Sequence, residues 1–157
     1  MFDDLIISSK LLPLLKPRLH RLMRLAGPYT MVSRNRMQNL YRLLRRVERD
    51  RIPGDAVEAG VARGGSAILI ATMALRSSLD RQAWLYDVFE LRGRSVATYD
   101  EVRRTFYDTF RFDPQRVHLN RGLFQDTIVQ FPQRPISFLH IDAAPYEGVS
   151  TCLKGFF

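Results

Sequence analysis

Residues Asp55 to Ala67 read D-A-V-E-A-G-V-A-R-G-G-S-A, and their reading decides the fold. A short apolar run carries one carboxylate, Glu58, and turns at Gly60. Gly64, Gly65 and Ser66 follow, then the run Ala67-Ile68-Leu69-Ile70-Ala71-Thr72-Met73. The pattern is strand, glycine turn, helix. Glycine admits a ligand close to the backbone, and free N–H groups at a helix start attract negative charge. At the first turn of an α/β sheet, such a segment is a common holder of a nucleotide-like cofactor.

Outward from this turn, strands and helices alternate. Asp55 to Ala59 is a predicted strand and Ser66 to about Ser78 a helix. Ala83 to Tyr86 is a second strand ending at Asp87, and Val96 to Phe110 reads as helical. Arg116 to Asn120 is a third strand, followed by a short helix or turn from Phe124 to Val129. Ile136 to Ile141 is a fourth strand ending at Asp142, and Tyr146 to Phe157 begins another helix. Repeated β-α units predict a parallel, right-handed sheet with helices on both faces.

Upstream, Ser33 is placed to cap a helix reaching about Asp50. Met37, Leu40, Tyr41, Leu44 and Val47 recur at helical spacing, and arginines take the other positions as a solvated face. Pro53-Gly54 breaks it. The organisation expected is a helical segment over 1–52 and a partial Rossmann-like domain over 53–157.

The chain of 157 residues suffices for one sizeable core, and 46% apolar against 25% charged residues is ordinary for a soluble globular protein. A net charge of +8 is not ordinary, and much of the arginine precedes residue 52. No nucleic-acid motif accompanies it, so a basic surface is preferred over a nucleic-acid partner. The single cysteine, Cys152, excludes an internal disulfide and a cysteine-based zinc site, and fits a reducing cytoplasm. At the N-terminus, Asp3 and Asp4 stand where a secretory signal would be basic, and Lys10, Lys16 and Arg18 interrupt any membrane span. Leu11 to Leu25 instead offer an apolar face for packing on the domain or on a second subunit.

Four features fall on the carboxyl ends of predicted strands, where parallel sheets bind ligands. Glu58, Gly60, Gly64, Gly65 and Ser66 follow the first. Asp87 closes the second, at about the interval expected for a carboxylate on ribose hydroxyls. Gly122 to Asp126 follows the third, and Asp142 closes the fourth. G-x-x-x-G-G is not the dinucleotide fingerprint and lacks the Gly-Lys-Ser/Thr ending of a phosphate loop. With Glu58 before the turn, it better suits a cofactor with an amino-acid end. S-adenosylmethionine has the ammonium for Glu58 and the ribose for Asp87.

These residues resemble the macrocin O-methyltransferase family. The resemblance rests on Tyr29-Thr30-Met31-Val32-Ser33, Pro53-Gly54-Asp55, Val57-Glu58-Ala59-Gly60-Val61 and Arg63-Gly64-Gly65-Ser66. It continues through Trp84-Leu85-Tyr86-Asp87, Phe89-Glu90, Gly122, Phe124, Asp126-Thr127, His140-Ile141-Asp142 and Tyr146-Glu147, from about Tyr29 to the C-terminus. It implies a class I methyltransferase sheet that methylates a sugar hydroxyl of a glycosylated natural product or glycan, using S-adenosylmethionine and usually magnesium. By resemblance Asp142 is metal ligand and base. Glu58, Gly60, Ser66 and Asp87 hold the cofactor, Met31 and Ser33 line its site, and Asp126 approaches the adenine.

Three departures qualify the expectation. Ala144 stands where the family commonly has a second acid, and Gln125 where it has a loop acid. The family's further metal ligands come from a later strand end, whereas this chain closes at Phe157. The expectation is the N-terminal two-thirds of a methyltransferase, with an incomplete metal site, impaired activity and the fourth strand as an exposed apolar edge. The alternatives are a non-catalytic cofactor-binding module and a basic nucleic-acid-binding protein. His140 is expected in the sheet core with one hydrogen bond, Trp84 as a packing residue and Cys152 as a buried thiol. His20 and His118 are expected at the surface.

Overall fold

The computed structural model describes residues 17–89, 97–143 and 146–157. Two helices come first: α1 over Pro17–Ala26 and α2 over Arg34–Arg49, joined through a 3₁₀ turn at Gly27–Tyr29. The α/β part runs β1 (Asp55–Ala59), α3 (Gly65–Leu75), β2 (Ala83–Asp87), α4 (Tyr99–Arg103), β3 (Val117–Arg121), α5 (Phe124–Thr127), β4 (Ile136–Ile141) and α6 (Tyr146–Phe156). The expected apolar residues Leu11 to Leu15, the helix start at Val96, Glu90 and Ala144 lie outside the described residues.

All strand pairings are parallel, in the order β3-β2-β1-β4. The chain winds outward from β1 through β2 to β3, then crosses to the other side of β1. This reversal makes the carboxyl ends of β1 and β4 the topological switch point, the place where open α/β sheets bind ligands in a crevice. Residues of β1 alternate between two cores. Ala56 joins α1 to α4 through Leu22, Met37, Leu40, Ile68 and Val102. Val57 and Ala59 face α5 and α6 through Phe124, Cys152 and Phe156, with Ile128 just beyond α5.

The sequence of α3 is apolar on every side because both sides are covered. Residues Gly65 to Ala71 and Ala74 are buried between the sheet and α1 and α2. By contrast α2 is two-faced, with Met37, Leu40 and Leu44 buried and its arginines outward. Ser33 occupies the N-cap position of α2, but its hydroxyl makes no capping bond. Its carbonyl accepts from Met37 N at 3.0 Å, so the helix starts without it.

The predicted helix over Val96 to Phe110 divides in two. Thr98 and Glu101 form a capping box that starts α4, and Arg104–Thr109 then widens into a π turn. The widened turn directs Phe106, fully buried, onto Gly64, where an added Cβ would lie 2.7 Å from the ring.

At the amino ends of the strands, Asp55 is fully buried and satisfied by four donor atoms from three residues. Gln82 N and Trp84 Nε1 each donate at 2.9 Å, and the Arg134 guanidinium donates from Nε at 2.7 Å and Nη2 at 3.1 Å. A buried charge persists only with such pairing. His118 corrects the surface expectation: it stacks on Trp84 at 3.8 Å, and its Nε2 lies 2.8 Å from Gln82 Oε1. The register that sets Trp84 beside His118 creates this contact, and no local spacing reveals it. As expected, β4 is an edge among the described strands, with every residue from Ile136 to Ile141 only partly buried. No helix among the described residues is long and apolar enough to cross a membrane.

Candidate functional site

The site is built around the turn from Gly60 to Gly65, at the carboxyl end of the central strand. Gly60 has φ +96°, a conformation glycine adopts without the penalty of a side chain. A Cβ there would lie 2.5 Å from the Asp142 carbonyl oxygen. The turn therefore packs directly on the exit of β4. Asp142 N donates to Ala59 O at 2.9 Å and Gly60 N to Tyr86 O at 2.9 Å, tying three strand ends together. Gly64, at φ +96°, precedes the first turn of α3, whose first N–H groups have no partner within the helix.

The N-terminal segment closes over this turn. At Gly65 an added Cβ would overlap Thr30, so Tyr29 to Ser33 passes against the start of α3 with no room for a side chain between. Met31 is 70% exposed beside it and Ser33 is exposed, so both are open to a ligand at the helix start. Asp126, exposed on the one-turn helix after β3, has its backbone held by Leu123 O at 3.0 Å.

Asp87 has a task that spacing did not reveal. Its Oδ2 accepts from Val61 N at 2.7 Å and Ala62 N at 2.8 Å, and Oδ1 accepts from Phe89 N at 2.9 Å. Ala62 and Phe89 hold φ of 50° and 55°, unusual for residues with side chains. One carboxylate thus braces the glycine turn and fixes two strained residues. Three of its roughly four acceptor positions are used, leaving about one for a hydroxyl.

Glu58 is completely buried, and its Oε1 meets His140 Nδ1 at 2.8 Å. The strands are in register here, Glu58 opposite His140. Burial pushes the Glu58 carboxyl up, against the lowering influence of His140 and Ser66. The bond to Glu58 raises His140, against its own burial. His140 thus has the single hydrogen bond expected, and it runs to Glu58 on the neighbouring strand. Glu58 Oε2 is buried and has no hydrogen-bond partner among the described residues.

Both shifts are upward, so the native state holds protons more tightly than the unfolded chain. The His140 contribution is fully present below its ordinary value of 6.5 and is lost as pH rises through its raised value, while that of Glu58 is fully present below its ordinary 4.5 and is lost as pH rises through its own raised value. The urea midpoint is expected to fall from pH 6 to pH 9, and His140→Gln to flatten that slope. An unchanged slope in the variant would refute the pairing.

His140 and Thr30 adjoin the candidate site through contacts that residue-by-residue reading did not predict. Their signal was the register of β1 with β4 and the close approach at Gly65, both properties of tertiary structure. Asp142 is exposed just beyond β4, two residues after His140. Among the described residues no three His, Cys, Asp or Glu side chains gather as a metal centre. A magnesium ion is commonly held through one or two carboxylates with several waters, and among the described residues Asp142 offers one carboxylate but no cluster, so the described donors do not complete such a site.

Comparisons with known proteins agree with this architecture. The sequence profile described as Macrocin-O-methyltransferase (TylF) matches residues 24–157. Demethyldecarbamoylnovobiocin O-methyltransferase of Streptomyces niveus is 28% identical over 153 residues, covering 84% of this chain and 58% of that protein. Mycinamicin III 3''-O-methyltransferase of Micromonospora griseorubida is 35% identical over 141 residues, covering 75% and 55%. The solved structure of the O-methyltransferase NovP superposes with a TM-score of 0.71 at 26% identity, covering 81% of this chain and 61% of that one. The chain thus spans between half and two thirds of the length of these relatives. With the profile matching most of its length, from the segment over the glycine turn through α6, the chain belongs to the macrocin O-methyltransferase (TylF) family.

Proposed function

We propose that this chain forms the S-adenosylmethionine-binding part of an O-methyltransferase that acts on a sugar hydroxyl of a glycosylated small molecule or glycan. The observation that carries the reading is the crevice between β1 and β4. There the turn from Gly60 to Gly65, the amino end of α3 and Asp142 converge, with Glu58 buried beneath them. The names of the relatives, one acting on mycinamicin III and one on demethyldecarbamoylnovobiocin, support a glycosylated acceptor.

The chain's residues divide the work by position. The amino end of α3 offers N–H groups to a carboxylate, with Gly64 and Gly65 keeping the approach clear. Glu58 is too buried for direct contact and, paired with His140, supports the floor of the site behind the ammonium end. Asp87 has about one acceptor position left for a ribose hydroxyl. Met31 and Ser33 line the open side, and Asp126 stands toward the adenine. When bound, the cofactor supplies a methyl group activated on a sulfonium. Asp142 is the base proposed to take the hydroxyl proton as the acceptor oxygen bonds to the methyl carbon and the carbon–sulfur pair stays with sulfur. Magnesium belongs to the family reading, but the described donors do not complete its site, and no step is assigned to it.

Calorimetric titration with S-adenosylmethionine is expected to show saturable binding at one site per chain. Absence of saturable binding would overturn the proposal. The same lack of clustered metal ligands favours a second reading, a cofactor-binding module without catalysis. Methyl transfer to a glycoside by the purified chain would exclude that second reading.

A further inference from the structure

The basic charge concentrated before residue 52 is not used by the cofactor crevice. Part of it lines a cleft of about 370 Å³ between α1, α2 and the far end of α3. Its walls carry Arg18 from α1, Arg45 and Arg49 from α2 and Arg76 from the end of α3, over Leu22, Tyr41 and Met73. The one carboxylate in the lining, Glu48, is already engaged. Ser77 Oγ donates to it at 2.7 Å and Arg81 Nε at 3.3 Å. Arg49 is held by Asp50 at 2.9 Å. Arg18, Arg45 and Arg76 form no ion pair among the described residues.

Arginines near the carboxyl ends of α2 and α3 have a local reason, since cations there offset the helix dipole. Arg18, from α1, lines the same cleft. Three helices thus converge positive charge on one concavity, at the opposite end of α3 from the glycine turn. Guanidinium groups pair with phosphate oxygens in bidentate fashion, and the volume is that of a small-molecule site. Leu22, Tyr41 and Met73 add an apolar and aromatic floor for an organic substituent.

We propose that this cleft is a second binding site, taking a soluble phosphorylated small molecule of about diphosphate charge. It is separate from the methyl-transfer crevice. Inorganic pyrophosphate is the probe, titrated calorimetrically into the chain saturated with S-adenosylhomocysteine so that the amino end of α3 is covered. One saturable site is expected. The double variant R45Q/R76Q is expected to weaken it about tenfold or more. R103Q/R111Q, which removes two exposed arginines outside the cleft lining, is expected to leave it unchanged. No saturable binding overturns the proposal, as does equal weakening in both variants. Capture on phosphatidic acid vesicles without pyrophosphate binding also overturns it, in favour of a membrane surface. Failure of S-adenosylhomocysteine to bind would count against the cofactor reading alone, because R45Q/R76Q still reports on the cleft.

Discussion

Gly60→Ala is expected to destabilise the chain by about 2–4 kcal/mol, the sum of a disfavoured backbone conformation and a forced contact. The first cost arises because φ at Gly60 is +96°. The second arises because the new Cβ would lie 2.5 Å from the Asp142 carbonyl oxygen and 2.8 Å from its carbon. Neither atom is the end of a flexible side chain. Both belong to backbone fixed by the bond from Asp142 N to Ala59 O, so relief would have to break the β1–β4 junction. Asp142 would move with it, so cofactor affinity and any methyl transfer should fall together with stability. Gly27→Ala is the control, because nothing lies within 4 Å of its added Cβ and its φ is not positive. Urea denaturation with equal midpoints for the two variants would refute this account of the turn.

Asp87→Ala is expected to cost about 3 kcal/mol and at least about tenfold in affinity for S-adenosylmethionine. Three backbone N–H groups lose their acceptor at once, those of Val61, Ala62 and Phe89. Two of these residues are held at positive φ and lose the contact that over-determines them. Asp87→Asn keeps the shape and one acceptor oxygen and is expected to lose less than Asp87→Ala. The diagnostic is the order of effects. If Asp87 served only a ribose, stability would stay at the wild-type value while affinity fell. If it braces the turn, both fall, and amide exchange at Val61, Ala62 and Phe89 accelerates. Unchanged exchange at these three amides would show that the carboxylate does not hold them.

Elements were legible where a local pattern carried them. The stretch D-A-V-E-A, closed by Gly60, specified a strand to the residue, and the alternation of strands and helices specified a parallel sheet. The arginine face of α2 marked its solvent side, and Cys152 is buried as its apolar neighbours suggested. Ser33 was placed correctly at the start of α2 but not in its role, because a cap depends on hydroxyl direction as well as position. The π turn after α4 was hidden, since helical periodicity does not distinguish a widened turn until packing on Gly64 is known.

The candidate site was legible as a set of residues but not as a set of contacts. Glu58, Gly60 and Asp142 could be named because strand ends and glycine turns are local features. That His140 would meet Glu58, 82 positions away, follows only from the register of two strands joined by long crossovers. That Asp87 would brace the turn rather than stand open required the distance from β2 to Val61.

The sequence by itself determined the class of fold, the place of the glycine turn and the family resemblance, because these rest on short-range periodicity and residue type. Tertiary structure alone decided how charge is used. It buried Glu58 against His140, spent Asp87 on backbone amides, set Thr30 on Gly65 and gathered arginines from three helices into one cleft. Each of these depends on two distant segments meeting in one register, and burial there sets the strength of a charge more than its identity does.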